Sequence, residues 1–212
     1  MEANVDLEPT AEGATKRGRG RGRWMLLLVL LVCAAPLIAS YFTYYVIKPE
    51  KRNNYGTLVD QRTHPLPALA TTTLDGRPVP LQQFKGKWVM LMTGPGACPE
   101  ACRKQLFAMR QLRLMQGKEM DRIERVWLIT DRAPLDTLVI REFDGTHMLR
   151  AASEADAAAV TAWLPADAGT TPDQHIYLID PLGHLMMRFP ADPEPRKVYK
   201  DIYKLLKASA VG

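Results

Sequence analysis

Three features of the sequence point to an α/β sandwich with a mixed central sheet, preceded by one transmembrane helix. A long uncharged run lies near the N-terminus. Beyond it, short apolar runs bounded by turn residues alternate with stretches of helical periodicity, and the last two runs form a hairpin rather than another strand–helix unit. The 212 residues are 47% hydrophobic and 24% charged, which is ordinary globular usage and enough length for one medium-sized core plus an appendage.

The uncharged run is MLLLVLLVCAAPLIASYFTYYVI, Met25 to Ile47. As a helix it is long enough to cross a hydrocarbon core of about 30 Å. It reads as an uncleaved anchor rather than a signal peptide, because the small residues around Ala39 and Ser40 are followed by further apolar ones. Pro36 is expected to kink it, and Tyr41, Tyr44 and Tyr45 suit the far interface, where aromatic rings lie at headgroup level. Val32 is too large for the position it would occupy in a lipoprotein box, so Cys33 reads as inert packing within the span. Lys16, Arg17, Arg19, Arg21 and Arg23 precede the span and Lys48, Lys51 and Arg52 follow it. The bias favours a cytoplasmic N-terminus, a single-pass bacterial inner-membrane anchor and a main domain in the periplasm, where disulfides form readily.

Charge excludes one class of partner. The segment before the span carries four acidic residues against those five cations, so nearly all of the net charge of +5 is spread over the rest of the chain. That is a solvated surface rather than a nucleic-acid stripe, and KRGRGRGRW, beside a span, suits anionic lipid better than RNA. The expected division is a basic tail over 1–24, the anchor over 25–47, a polar tether over 48–64 and the folded domain over 65–212.

Within the domain, PLPALATTTLDGRPVPL reads as short extended pieces about Asp75–Gly76, the signal of a two-residue hairpin turn. KWVMLMT is a short buried strand, and GPGACPEACRKQL leads into a helix ending near Met115. RVWLITD is a second buried strand and DAAAVTAWL a helix. HIYLIDPLGHLMMRF is a hairpin turning over Asp180 to Gly183, and PRKVYKDIYKLLKAS is an amphipathic helix with Val198, Ile202, Leu205 and Leu206 on one face. The segment around His147 carries no assignment.

Cys98 and Cys102 hold the chemistry. Pro99 fits the first turn of a helix and Gly96 allows a sharp strand-to-helix turn, which places Cys98 at the helix N-terminus. Unpaired N–H groups and the helix dipole there favour a thiolate, with Lys104 helping and Glu100 opposing. Cys102, Leu106, Met109 and Leu112 share a stripe that should face the core. The expected arrangement is an exposed, activated Cys98 one turn from a shielded Cys102, as a dithiol switch requires, with Cys98 as nucleophile and Cys102 resolving the mixed disulfide. The same two thiolates would also suit Cu(I), a soft ion that accepts few ligands. Zinc would need two of His64, His147, His175 and His184 to converge with them. His64 is expected to be solvated in the tether, His184 to ride the second hairpin strand, and Met186 and Met187 to fill core space. Asp131 ends a strand with no assigned role.

FKGKWVMLMTGPGACPEACRKQLFAM, then RVWLITD, then YLIDPLGHL resemble, in order and spacing, the Sco/SenC branch of the thioredoxin-like superfamily over roughly Pro65 to Leu206. The resemblance implies a thioredoxin-like sandwich and a role in assembling the CuA site of cytochrome c oxidase. It also implies Cu(I) held by the two cysteines and a distal histidine, or, as in some relatives, thiol–disulfide exchange. Two departures stand out: the residues just before Cys98 differ from the family's, and counting back from Tyr177 puts the histidine's position on Pro172. His175, an odd number of residues away on a strand, would face the other side unless the loop shifts. Pro172 occupies the place of the superfamily's cis-proline opposite the cysteines, where a cis Thr171–Pro172 bond would leave backbone free to pair with a substrate chain.

The reading is thus a membrane-anchored thiol–disulfide protein working through Cys98, Cys102 and Pro172. Its expected substrate is the cysteines of a cytochrome c oxidase subunit or another copper carrier. The alternative is a Cu(I) metallochaperone without catalysis, using Cys98, Cys102 and His175. Peroxide reduction fits poorly, since Thr93 is not three residues ahead of Cys98, and a permanent structural disulfide is a fourth reading.

Overall fold

A chain in hydrocarbon satisfies its backbone only within a helix or a closed barrel. In the computed structural model, which describes residues 19–47 and 54–211, the apolar run is helical. Helix α1 spans Arg19–Phe42 and continues as a π-helical turn, Thr43–Ile47, where the Thr43 hydroxyl donates to the Ala39 carbonyl at 2.7 Å. The part long and apolar enough to cross a membrane is Gly22–Tyr45, shifted slightly toward the N-terminus relative to the sequence-based limits. Pro36 lies inside the helix, and the Tyr41 and Tyr45 rings stack 4.4 Å apart near its end. Most of the basic tail, up to residue 18, and the start of the tether, 48–53, lie outside the described residues.

A second compact unit begins at Asn53. Its elements are β1 (Thr57–Leu58), β2 (Thr71–Thr72), β3 (Trp88–Gly94), α2 (Glu100–Met115), β4 (Ile123–Ile129), α3 (Thr137–Glu142), β5 (His147–Ala151), α4 (Glu154–Trp163), β6 (Tyr177–Ile179), β7 (Leu185–Arg188) and α5 (Pro195–Ala208). The strands form one mixed sheet in the order β1-β7-β6-β3-β4-β5-β2. β3, β4 and β5 run parallel to one another and the other pairings are antiparallel. This is the α/β sandwich with a mixed sheet that the sequence predicts.

Helices and turns cover both faces, which is why KWVMLMT and RVWLITD read as continuous apolar runs rather than alternating ones. The alternation is in the packing instead. Trp88, Met90 and Met92 of β3 join one core layer with Leu106, Met109 and Leu112 of α2 and Val198, Ile202 and Leu206 of α5. Val89 and Leu91 join the opposite layer with Leu81, Phe84, Val160 and Trp163. Met187 is buried in the first layer with Met186 packed against it, as core-filling methionines.

Three expectations change. The segment expected as tether up to His64 is part of the domain from Tyr55 on: β1 pairs with β7, and the Val59 N–H donates to the Met186 carbonyl at 2.9 Å. The turn at Asp75–Gly76 is a three-residue loop, with the Thr73 N–H donating to the Arg77 carbonyl at 2.8 Å and Gly76 in the left-handed region at φ 83°. α3 and β5 have no counterpart in the sequence reading, and His147 begins β5, paired with Glu124 at 3.1 Å.

The domain's entry is fixed by one carboxylate. Asp201 of α5 is 3% exposed, and its Oδ2 accepts the backbone N–H groups of Tyr55 at 2.6 Å and Gly56 at 2.9 Å. Gly56 is required at this point, since a Cβ would lie 2.5 Å from the Met187 sulfur and 2.9 Å from the Phe189 ring. Replacing Asp201 by Ala leaves a buried N–H donor, that of Gly56, and a part-buried one, that of Tyr55, without an acceptor, and a loss of about 2–4 kcal/mol is expected. Chemical denaturation of the purified chain, with an unchanged slope and a lowered midpoint, would measure it.

Candidate functional site: a disulfide at the start of α2

The turn from β3 into α2 carries the cysteines. Its shape is set from the neighbouring loop, because Asp131, just past β4, accepts the Gly96 N–H at 2.8 Å and the Ala133 N–H at 3.2 Å with the same oxygen. Arg150 of β5 holds the backbone carbonyls of Asp131 and Ala133. Gly96 serves close approach rather than a special φ: a Cβ there would lie 2.7 Å from the Ala133 carbonyl oxygen. Asp131 thus acquires a role as the brace of the cysteine turn.

Cys98 and Cys102 are joined by a disulfide, with Cα atoms 5.1 Å apart. Cys98 precedes Pro99, the N-cap of α2, and Cys102 sits in the first turn. No side chain caps this helix, so its leading N–H groups are left for the sulfurs and for whatever approaches them. Cys98 adopts φ 41°, the one non-glycine among the described residues in the left-handed region. Such backbone costs on the order of 1–3 kcal/mol and marks a turn held in place by its surroundings.

The stripe of Cys102, Leu106, Met109 and Leu112 faces the core as expected. The expected exposure of Cys98 is not found: it is 2% exposed, Cys102 6%, and both lie in the apolar layer beside Ile176. The reason is the 94–98 turn, which folds the first cysteine under itself, with the Cys98 N–H donating to the Pro95 carbonyl at 3.1 Å. A cleft of about 430 Å³ opens alongside, and it is Cys102 that contributes to its wall.

With Cys102 the cleft is lined by Asp173, Gln174 and Ile176, by Asp192 and Pro193, and by Lys104 and Gln105 of α2. Of the polar ones, sequence reasoning had singled out only Lys104 and missed Asp173, Gln174, Asp192 and Gln105. Gln105 is 8% exposed with its side-chain carbonyl unpaired, a buried amide on a face otherwise given to Leu and Met. Its i+3 spacing from Cys102 was the available signal. Beyond the cleft, Arg103 ties α2 to Asp136, the N-cap of α3, at 3.0 Å. The Leu138 N–H, and after it Arg103, hold the Asp136 carboxyl below its usual range.

Pro172 and His175 occupy other roles than expected. No peptide bond among the described residues is cis, so Thr171–Pro172 is trans, and Pro172 opens a short 3-10 turn, Pro172–Gln174, that delivers Asp173 and Gln174 to the cleft. His175 is fully buried and packs near Tyr177, which belongs to the layer on the sheet face away from the cysteines. Its Nδ1 lies 2.8 Å from the Phe189 carbonyl and its Nε2 2.7 Å from the Thr170 hydroxyl. A carbonyl only accepts, so Nδ1 carries a proton and donates, and the Thr170 hydroxyl faces Nε2. Neither ring nitrogen is available to Cu(I), and a Cys98–Cys102–His175 ligand set does not fit this arrangement. Among the described residues no three His, Cys, Asp or Glu side chains gather as a metal site. His64 and His184 hydrogen-bond locally, to Thr63 at 2.8 Å and Asp180 at 3.3 Å.

Gly96→Ala is expected to force the Asp131–Ala133 loop outward and destabilise the domain by about 1–3 kcal/mol. Thermal unfolding would show it, and reduction of the disulfide at a fixed dithiothreitol concentration should become faster as the turn loosens.

The chain matches the family model described as "transmembrane-like, thioredoxin-like, C-terminal domain" over residues 88–209, and the companion N-terminal model over residues 16–46. No curated protein matches it. Among solved structures, copper-bound ScoI of Arabidopsis thaliana superposes with a TM-score of 0.55 at 14% identity, covering 73% of this chain and 99% of the other. Apo Sco1 of Thermus thermophilus gives 0.52 at 22% identity, with 75% and 98% covered. A thiol:disulfide interchange protein from Bacteroides sp. gives 0.51 at 23%, with 69% and 90% covered. These likenesses show a shared thioredoxin-like fold, and the family match goes further: the chain belongs to the transmembrane-like proteins with a thioredoxin-like C-terminal domain.

Proposed function

We propose that this protein is a membrane-anchored thiol–disulfide exchange protein whose domain works in the periplasm, on cysteines of the cytochrome c oxidase CuA site or of another copper carrier. The observation that carries the reading is the Cys98–Cys102 disulfide at the uncapped start of α2, beside an open cleft. In the reduced protein, Cys98 is the thiolate that the helix N-terminus favours. It attacks a substrate disulfide, one substrate sulfur leaves as a thiolate and takes up a proton, and a mixed disulfide forms. Cys102 then attacks Cys98, releasing the second substrate thiol and closing the disulfide seen here. Two electrons pass from the pair to the substrate, and a dithiol donor must return them before the next cycle.

In the closed form Cys98 is buried, so exchange requires the 94–98 turn to open, and the left-handed backbone at Cys98 favours that opening. Asp173 and Gln174, delivered by the Pro172 turn, are the groups placed to meet a substrate chain in the cleft. In a Cu(I) metallochaperone reading the two thiolates alone would have to hold the ion, since both ring nitrogens of His175 are engaged in the core.

Equilibration of the whole chain in detergent with thiol redox buffers tests the reading. A reduction potential above about −300 mV is expected for an exchanging pair, whereas a lower one would identify a permanent structural disulfide. With a disulfide substrate, Cys102→Ser should accumulate the mixed disulfide and Cys98→Ser should not. Titration of the reduced chain with Cu(I) against a competing chelator should give the same curve for the His175→Ala variant; loss of tight one-to-one binding in that variant would restore the chaperone reading.

A further inference from the structure

α5 is the most strongly amphipathic element of the domain, and its outer face is exposed. Val198, Asp201, Ile202 and Leu206 are buried, while Arg196, Lys197, Lys200, Lys204 and Lys207 are exposed. At 100° per residue these five cations fall within a single band of about 100°, bordered by Tyr203 and then by half-buried Tyr199, whose rings lie 5.9 Å apart. The one acidic residue of the helix, Asp201, is turned inward and used on Tyr55 and Gly56. Lys197 pairs with Glu194 at 2.7 Å and Lys204 approaches Asp201 at 3.9 Å, but among the described residues Arg196, Lys200 and Lys207 make no salt bridge.

We infer that this face of α5 binds anionic phospholipid headgroups. Two observations select lipid over other anionic partners. The chemistry is that of an interfacial surface, with several lysines and one arginine for phosphate and tyrosines at the margin. The chain itself supplies the proximity: eight residue steps separate Ile47, where the apolar helix ends, from Tyr55, a length that extends to at most about 30 Å. Tyr55 is fastened to this very helix, through Asp201, through its hydroxyl, which accepts the Glu194 N–H at 3.0 Å, and through Lys197, 5.4 Å from the centre of its ring. Asp192 and Pro193, just ahead of α5, edge the cleft beside the disulfide. Seating α5 on headgroups therefore presents the disulfide close to the membrane surface. The inference rests on the apolar helix crossing a bilayer and not on the exchange chemistry.

Lysine footprinting of the full chain in nanodiscs tests it, with an uncharged N-hydroxysuccinimide ester and mass-spectrometric readout. Discs of phosphatidylcholine alone are compared with discs one-third phosphatidylglycerol. Labelling of Lys200 and Lys207 should fall at least about threefold in the anionic discs at 0.1 M salt and recover at 1 M, where the screening length shrinks from about 10 Å to about 3 Å. Lys85, which follows Phe84 of the opposite core layer, should label equally in both. In the Arg196→Gln/Lys200→Gln chain, Lys207 should regain its labelling in the anionic discs. Equal labelling in the two lipids would overturn the proposal, and protection in both, indifferent to salt, would show that protein covers this face instead.

Discussion

Parallel pairing of β3 with β4 ends with Gly94 opposite Ile129, and the cysteine turn is built from what lies just past that register. Beyond Gly94 the chain folds into the 94–98 turn; beyond Ile129 it supplies Asp131, whose carboxylate takes the Gly96 N–H. Slipping the register by one residue would turn β3's core positions to the wrong layer and carry Asp131 away from Gly96. The central strands, buried on both faces, make such a slip costly, and this constraint holds the disulfide at the start of α2.

A second consequence of strand geometry decides the chemistry opposite the cysteines. Ile176 points to their layer, so His175 points to the other and is spent on Thr170 and Phe189. Neighbouring residues on one extended segment thus have unrelated roles: one lines the cleft and the next is a buried hydrogen-bonding joint. The turn before them brings Asp173 and Gln174 to the cleft, setting a carboxylate and an amide in a lining otherwise rich in Pro and Ala.

Much of this was readable in advance where one local signal dominates. The apolar run, the buried strands, the Asp180–Gly183 hairpin and the core stripe of α2 all follow from composition and period. β5 was not readable, because HMLRA is short and carries His and Arg, and it becomes a strand only through pairing with β4. Nor was β1, two residues whose place depends on Asp201, almost 150 positions away. The buried state of Cys98 was missed for a related reason: a helix N-terminus suggests an accessible thiol, whereas the turn ahead of it folds back over the sulfur.

The sequence by itself determined the helix long and apolar enough to cross a membrane, the α/β alternation and the placing of two cysteines one helical turn apart. Each of these depends on residues near in sequence, acting through hydrophobic period, chain length and backbone preference. Tertiary structure alone decided that Asp131 braces the cysteine turn, that His175 is consumed in the core, and that Asp173, Gln174 and Gln105 surround the cleft. Those outcomes depend on which strand lies beside which and on which face of the sheet each residue meets, relations between distant segments that no local pattern encodes.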